Sequence, residues 1–147
     1  MIINLAGIID DSIVDGPGLR IVIFFQGCQH DCYNCHNKDT HSMEDNKLMS
    51  VAEIVSYVKA NPLINKVTIS GGEPFLQYDG LLELCQALQD YKLWLYTGYT
   101  IAELKALNYD AVFQYLEALV DGKFIEAQKT LDLPYIGSKN QTIHYFK

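Results

Sequence analysis

Residues 19–25, Leu-Arg-Ile-Val-Ile-Phe-Phe, are almost all apolar, β-branched or aromatic. A run of that length and makeup reads as a strand covered on both faces, and such strands belong to sheets sheltered by helices. Lys66–Ser70, Lys92–Tyr96 and the shorter Ala118–Val120 repeat the theme. Helical patterns fill the gaps between them. Ser50 and Glu53 form a capping box ahead of an apolar stripe of Val51, Ile54, Val55 and Val58. Leu81, Leu84, Cys85 and Leu88 form a second stripe that starts near Asp79. Thr100 and Glu103 form a second capping box before Leu104 and Leu107, and a short helix from about Asp110 carries Phe113 and Leu116. The order β-α-β-α-β-α-β predicts a mainly parallel sheet with right-handed crossovers. A closed eightfold barrel takes about 250 residues. A chain of 147 supplies about four to five βα units, so the expected fold is α/β: a short partial barrel, open at its edges. One domain over 1–147 is expected, and residues 131–147, with Pro134 and Gly137, are expected to wrap across the sheet or add an edge strand.

Composition narrows the function. The net charge is −7 and Lys and Arg are not clustered, so nothing suggests a nucleic-acid footprint. The apolar start, Met1 to Leu5, lacks a basic region, and no apolar run approaches the roughly 18–20 residues of a membrane helix. The expected location is the cytoplasm, away from membranes. Four cysteines in that compartment serve metal binding, redox chemistry or core packing more readily than disulfides.

In parallel α/β folds ligands bind at the carboxyl ends of the strands. Each expected strand runs into an unusual segment there: Gly27-Cys28, Gly71-Gly72-Glu73-Pro74, Thr97-Gly98-Tyr99 and Asp121-Gly122-Lys123. Four independent structural turns need not share one rim, so the convergence argues for a site. Cys28, Cys32 and Cys35 are spaced C-x3-C-x2-C, and thiolates are the usual ligands of iron–sulfur clusters. Three of them leave one metal position without a ligand from this loop, which is how a metal site binds substrate. Zinc, with His30 or His36 as fourth ligand, is the main competitor, although zinc sites more often carry a second ligand pair further on. Simple packing is the weaker reading, because His30, Asp31, Asn34, His36 and Asn37 share the loop. Cys85, on a helical stripe between leucines, reads as core. Gly71 and Gly72 let a ligand approach the backbone, their carbonyls can accept from an ammonium, and Pro74 holds Glu73 extended. Alone this is an ordinary strand-to-helix turn; beside the cysteine loop it reads as part of the site. Asp15-Gly16-Pro17-Gly18 reads as a turn, and Arg20 is open to two roles, pairing with an acid on the sheet or facing a partner.

These residues resemble the radical S-adenosylmethionine superfamily, with its C-x3-C-x2-C and GGEP-like motifs. More narrowly they resemble the activating-protein family of anaerobic (class III) ribonucleoside-triphosphate reductase, through DGPGLR at 15–20, GCQHDCYNCHN at 27–37, SGGEP at 70–74, WLYTGYT at 94–100, LVDGKF at 119–124 and GSKNQ at 137–141. The resemblance implies a 4Fe–4S cluster on Cys28, Cys32 and Cys35, whose free iron chelates S-adenosylmethionine. Gly71, Gly72 and Glu73, with the Pro74 shelf, would receive the methionine ammonium. An electron from flavodoxin or a similar donor would break a C–S bond, and the 5′-deoxyadenosyl radical would take hydrogen from a glycine of the large reductase subunit. Protein groups then position the cofactor, and no general acid, base or nucleophile is implied. The superfamily often has an aromatic residue before the third cysteine; here it is Asn34, so the backbone of Asn34, Cys35 and His36 is the expected adenine contact, with Tyr33 or His36 as substitute ring. Thr97, Asp121 and Lys123 would face the ribose or carboxylate. Two alternatives stand beside this reading: an activase of another glycyl radical enzyme such as pyruvate formate-lyase, and a zinc or electron-transfer module that does not use S-adenosylmethionine.

Overall fold

The computed structural model describes residues 1–12, 18–27, 47–122 and 141–146. Its strands are β1 (Ile2–Ser12), β2 (Arg20–Phe25), β3 (Lys47–Ser50), β4 (Lys66–Gly71), β5 (Lys92–Tyr96), β6 (Ala118–Asp121) and β7 (Thr142–Tyr145). The helices are α1 (Val51–Lys59), α2 (Tyr78–Ala87) and α3 (Ile101–Ala106), with 3₁₀ turns at Pro74–Gln77 and Asp110–Tyr115. All seven strands form one sheet in the order β3-β1-β2-β4-β5-β6-β7.

The middle of the sheet is parallel, as expected: β2 pairs with β4, β4 with β5 and β5 with β6. Its flanks are antiparallel. β1 runs against β2, β3 against β1, and β7 against β6. The alternating pattern read from the sequence omitted β1 and β3. β1 carries strand signal in Ile2, Ile3, Leu5, Ile8 and Ile9, but Gly7 and two aspartates interrupt it and its register shifts twice, between Leu5 and Gly7 and between Ile9 and Ser12. Neighbouring strands on both sides hold it extended. The expected edge strand of the tail is β7.

Both capping boxes form as read. Ser50 Oγ accepts from Glu53 N–H while the Glu53 carboxylate accepts from Ser50 N–H, and Thr100 and Glu103 repeat the exchange. The two faces of the sheet differ. Ile21, Ile23, Phe25, Val67, Ile69, Leu93, Leu95 and Leu119 pack with Val51, Ile54, Leu81, Leu84, Cys85 and Leu104 of the helices in one core. Trp94, Ala118 and Val120 point the other way, as the two-residue strand period requires, and gather Tyr96 and Ile143. Cys85 is fully buried, and burial pushes its thiol well above the ordinary range.

On that second face Arg20 is fully buried. Its Nε donates to Thr68 Oγ1 at 2.9 Å, its Nη2 to the carbonyl oxygens of Lys92 at 2.6 Å and Val67 at 3.4 Å, and its guanidinium lies 5.5 Å from the Trp94 ring centre. The side chain is enclosed, so it does not face a partner; it ties the amino ends of β2, β4 and β5.

Candidate functional site

The carboxyl ends of the parallel strands are stitched together by hydrogen bonds. β2 leaves the sheet through Gln26 and Gly27. Gly72 N–H donates to Phe25 O at 2.9 Å and Glu73 N–H to Gly27 O at 2.7 Å. Gln77, one turn later, clasps the backbone of Asn4 from both sides (Asn4 N to Oε1 2.8 Å, Nε2 to Asn4 O 2.9 Å) and reaches Gln26 O at 3.3 Å. Gly27, the residue that precedes Cys28 in the sequence, is therefore held directly beside the Gly-Gly-Glu turn.

Gly71 is needed for two reasons. Its φ is +111°, and an added Cβ would stand 2.3 Å from Phe25 O and 2.4 Å from Phe25 N. Only glycine permits both the turn and the close approach of β2. Glu73 is extended (φ −119°, ψ 104°), as a residue before proline should be, and Pro74 opens the 3₁₀ turn. Beneath that turn Phe75, Tyr78 and Tyr109 stack, the two tyrosine rings 4.2 Å apart. Burial, with Asp110 and Asp79 nearby, raises the Tyr78 phenol.

Glu73 is fully buried. Its carboxylate accepts from Thr97 Oγ1 (2.9 and 2.8 Å to the two oxygens), from Gly98 N–H at 2.7 Å and from Phe75 N–H at 3.1 Å. Thr97 Oγ1 in turn accepts from Tyr99 N–H at 3.1 Å. Thr97 N–H reaches Val120 O, and Gly122 N–H reaches Tyr99 O, each at 3.0 Å. Asp121, nearly buried, accepts from Ile101 N–H at the start of α3 through Oδ2 (2.8 Å), and its Oδ1 lies 3.1 Å from His144 Nε2 without hydrogen-bond alignment. Gln141 Nε2 donates to Gly122 O at 3.0 Å.

The structure thus brings Gly71, Gly72, Glu73, Pro74, Thr97 and Asp121 onto one rim. Cys28, Cys32, Cys35, Asn34, His36 and Lys123 lie outside the described residues. Sequence reading missed Gln77 and His144. Both act across long separations, and no local pattern marks them. The donor set suits an iron–sulfur cluster: soft thiolates at C-x3-C-x2-C spacing, on a loop whose first residue follows a strand end locked to the turn.

Comparison with known proteins gives the family. The family model described as "4Fe-4S single cluster domain" matches residues 14–144. An anaerobic ribonucleoside-triphosphate reductase-activating protein of Vibrio cholerae is 35% identical over 145 residues, covering 92% of this chain and 93% of that one. The proteins of the same name from Escherichia coli K12 (31% identical, 92% and 94% covered) and Enterobacteria phage T4 (30%, 90% and 87%) are similar over nearly the same span. Among solved structures, QueE from Escherichia coli shares the fold with a TM-score of 0.57 at 20% identity, over 67% of this chain and 54% of QueE. Taken with the cysteine spacing and the stitched rim, these matches establish that the chain belongs to the 4Fe-4S single cluster domain family and, within it, to the anaerobic ribonucleoside-triphosphate reductase-activating proteins.

Proposed function

We propose that this chain is an enzyme that activates an anaerobic ribonucleoside-triphosphate reductase, using a 4Fe–4S cluster and S-adenosylmethionine to place a glycyl radical on the large subunit. The observation that carries the reading is the 2.7 Å bond from Glu73 N–H to Gly27 O, which sets the start of the cysteine loop against the Gly-Gly-Glu turn. Cys28, Cys32 and Cys35 hold the cluster. When bound there, the cluster would supply the one-electron chemistry that cleaves S-adenosylmethionine and so leads to the glycyl radical on the reductase.

The protein's part is to bind and orient. Gly71, Gly72, Glu73 and Pro74 form the shelf for the methionine ammonium. Asn34, Cys35 and His36 are the adenine contacts in this reading, Asp121 and Lys123 serve the ribose and carboxylate side, and Thr97 acts from the same rim through its bond to Glu73. The parallel strands follow one another in chain order, β2-β4-β5-β6, with α1, α2 and α3 packed in a single core. That winding supports reading the sheet as a short, open part of a barrel within a single domain. A flavodoxin-like protein or another low-potential donor supplies the electron. Among the described residues no helix is long and apolar enough to cross a membrane, and the enzyme works in the cytoplasm, without nucleic acid.

The test is anaerobic reconstitution with iron and sulfide, reduction with dithionite, and measurement of 5′-deoxyadenosine, followed by electron paramagnetic resonance of the reductase large subunit. Both 5′-deoxyadenosine and a glycyl radical signal are expected. Fully reconstituted protein that yields no 5′-deoxyadenosine overturns the reading. Cleavage that places a radical on pyruvate formate-lyase but none on the reductase overturns the target alone.

A further inference from the structure

The acidic side chain of the Gly-Gly-Glu turn does not point outward from the rim. Glu73 is fully buried, and among the described residues its two oxygens take three donors, from Phe75 on its own turn and from Thr97 and Gly98 just after β5. A carboxylate only accepts, and each oxygen here already meets a backbone N–H as well as the Thr97 hydroxyl. An ammonium group approaching it would have to displace these bonds and enter an enclosed site. The amides of Gly72 and Glu73 are likewise spent, on Phe25 O and Gly27 O. Backbone carbonyl groups remain as acceptors for a cation: Glu73 O already accepts from Leu76 N–H at 3.1 Å, and a carbonyl oxygen carries a second lone pair.

The structure assigns Glu73 and Thr97 a positioning role. The Thr97 hydroxyl and Gly98 amide hold the Glu73 carboxylate, and this clamp sets the separation between the Gly71–Gly72 backbone at the end of β4 and the Thr97–Tyr99 segment that follows β5. The methionine ammonium of S-adenosylmethionine is received by the backbone of the turn, and the carboxylate acts through that backbone. Thr97 Oγ1 is the pivot, because it donates to Glu73 while accepting from Tyr99 N–H. The inference rests on the proposed function.

Three variants test it in the anaerobically reconstituted full chain: Thr97→Val, which removes the hydroxyl and keeps the branched shape; Thr97→Ser, which keeps the hydroxyl; and Glu73→Gln, which sets an amide NH₂ against a backbone N–H. The readouts are the Kd for S-adenosylmethionine, KM and kcat for its cleavage, cluster content, and amide hydrogen exchange at residues 72–76 and 97–100. Thr97→Val and Glu73→Gln should raise Kd and KM about ten-fold or more, the size expected for losing a bond to a charged group. The same two variants should speed exchange at Phe75 and Gly98, keep full cluster content and change kcat far less than KM. Thr97→Ser should restore KM and exchange to near wild type.

If the carboxylate bound the ammonium directly, Glu73→Gln would lose affinity while Thr97→Val kept it, and that result overturns the clamp. So does a Thr97→Ser variant as impaired as Thr97→Val. If Thr97→Val does not fold, Thr97→Ala, which also removes the hydroxyl and adds no bulk, makes the same distinction: lost affinity supports the clamp and retained affinity overturns it. A wild-type protein that neither binds nor cleaves S-adenosylmethionine defeats the proposed function instead. The tie between β4 and β5 then stands on faster exchange at Phe75 and Gly98 in Thr97→Val, and falls if exchange is unchanged.

Discussion

Two fully buried ionisable side chains sit at opposite ends of the same parallel strands. At the amino ends, Arg20 joins β2, β4 and β5 through Thr68 Oγ1 and the carbonyls of Val67 and Lys92. At the carboxyl ends, Glu73 joins β4 to β5 through Thr97 and Gly98. Each is an unusual occupant of a protein interior, and each is tolerated because hydrogen bonds replace the water it lost. Their surroundings differ. Arg20 is further held against the Trp94 ring, on a face where Ala118 and Val120 pack. Glu73 lies beside glycines that carry positive φ and next to the start of the cysteine loop. The same physical device therefore serves two ends: one holds the sheet together, and the other holds the geometry of the site.

Arg20→Met is the sharpest way to break the comparison. It leaves the Lys92 and Val67 carbonyls and Thr68 without their donor, in a packed interior. We expect a loss of about 4 kcal/mol in urea unfolding, with affinity of the folded protein for S-adenosylmethionine within about two-fold of wild type, since the two ends are independent. A large loss of affinity in folded Arg20→Met would show that the ends are coupled. Gly71→Ala comes next. It places a side chain in the left-handed region and against Phe25 O at 2.3 Å. About 3 kcal/mol of stability should disappear, and here affinity should fall as well, measured by equilibrium binding.

Thr100→Ala removes a helix cap just outside the rim, where Thr100 accepts from Glu103 N–H. About 1 kcal/mol of stability should be lost, with KM for S-adenosylmethionine unchanged. A raised KM would extend the site-forming region into α3. The smallest effect concerns Glu53 in the other capping box. Bonds from the backbone and then the side chain of Ser50 hold its carboxyl below the usual range. A lowered folded-state pKa means stability that is present above the unfolded value near 4.5 and fades as pH falls through the folded value. The stability gap between wild type and Glu53→Gln, measured by urea unfolding, should therefore be open at neutral pH and close in acid. A gap that stays constant with pH would show that the cap acts through shape alone.

The elements most legible in the sequence were those set by near neighbours. The capping boxes at Ser50 and Thr100 join residues three apart, and both form. β2, β4 and β5 carry their own apolar, β-branched and aromatic signatures, and their ends fell where the glycine turns began. β1 and β3 were not legible. In β1 the isoleucines at 2, 3, 8 and 9 are split by Gly7 and followed by two acids, and β3 is a four-residue edge strand, so neither stands out from its neighbours in the sequence. Within the site, the spacing of Cys28, Cys32 and Cys35 and the Gly71–Pro74 turn stood out. The bonding of the acids did not. The bond from Ile101 N–H to Asp121 and the approach of His144 Nε2 to its other oxygen join β6 to α3 and β7, and no local pattern marks either.

By itself the sequence determined the strand and helix types, the caps and the spacing of the thiolates, because each depends on residues a few positions apart. The tertiary structure decided what the buried polar groups do. Glu73 finds Thr97 24 positions away, Asp121 finds Ile101 20 away, and Arg20 finds Lys92 72 away. An isolated carboxylate or guanidinium can bond many donors or acceptors, and only packing, which removes water and leaves one set within reach, selects among them.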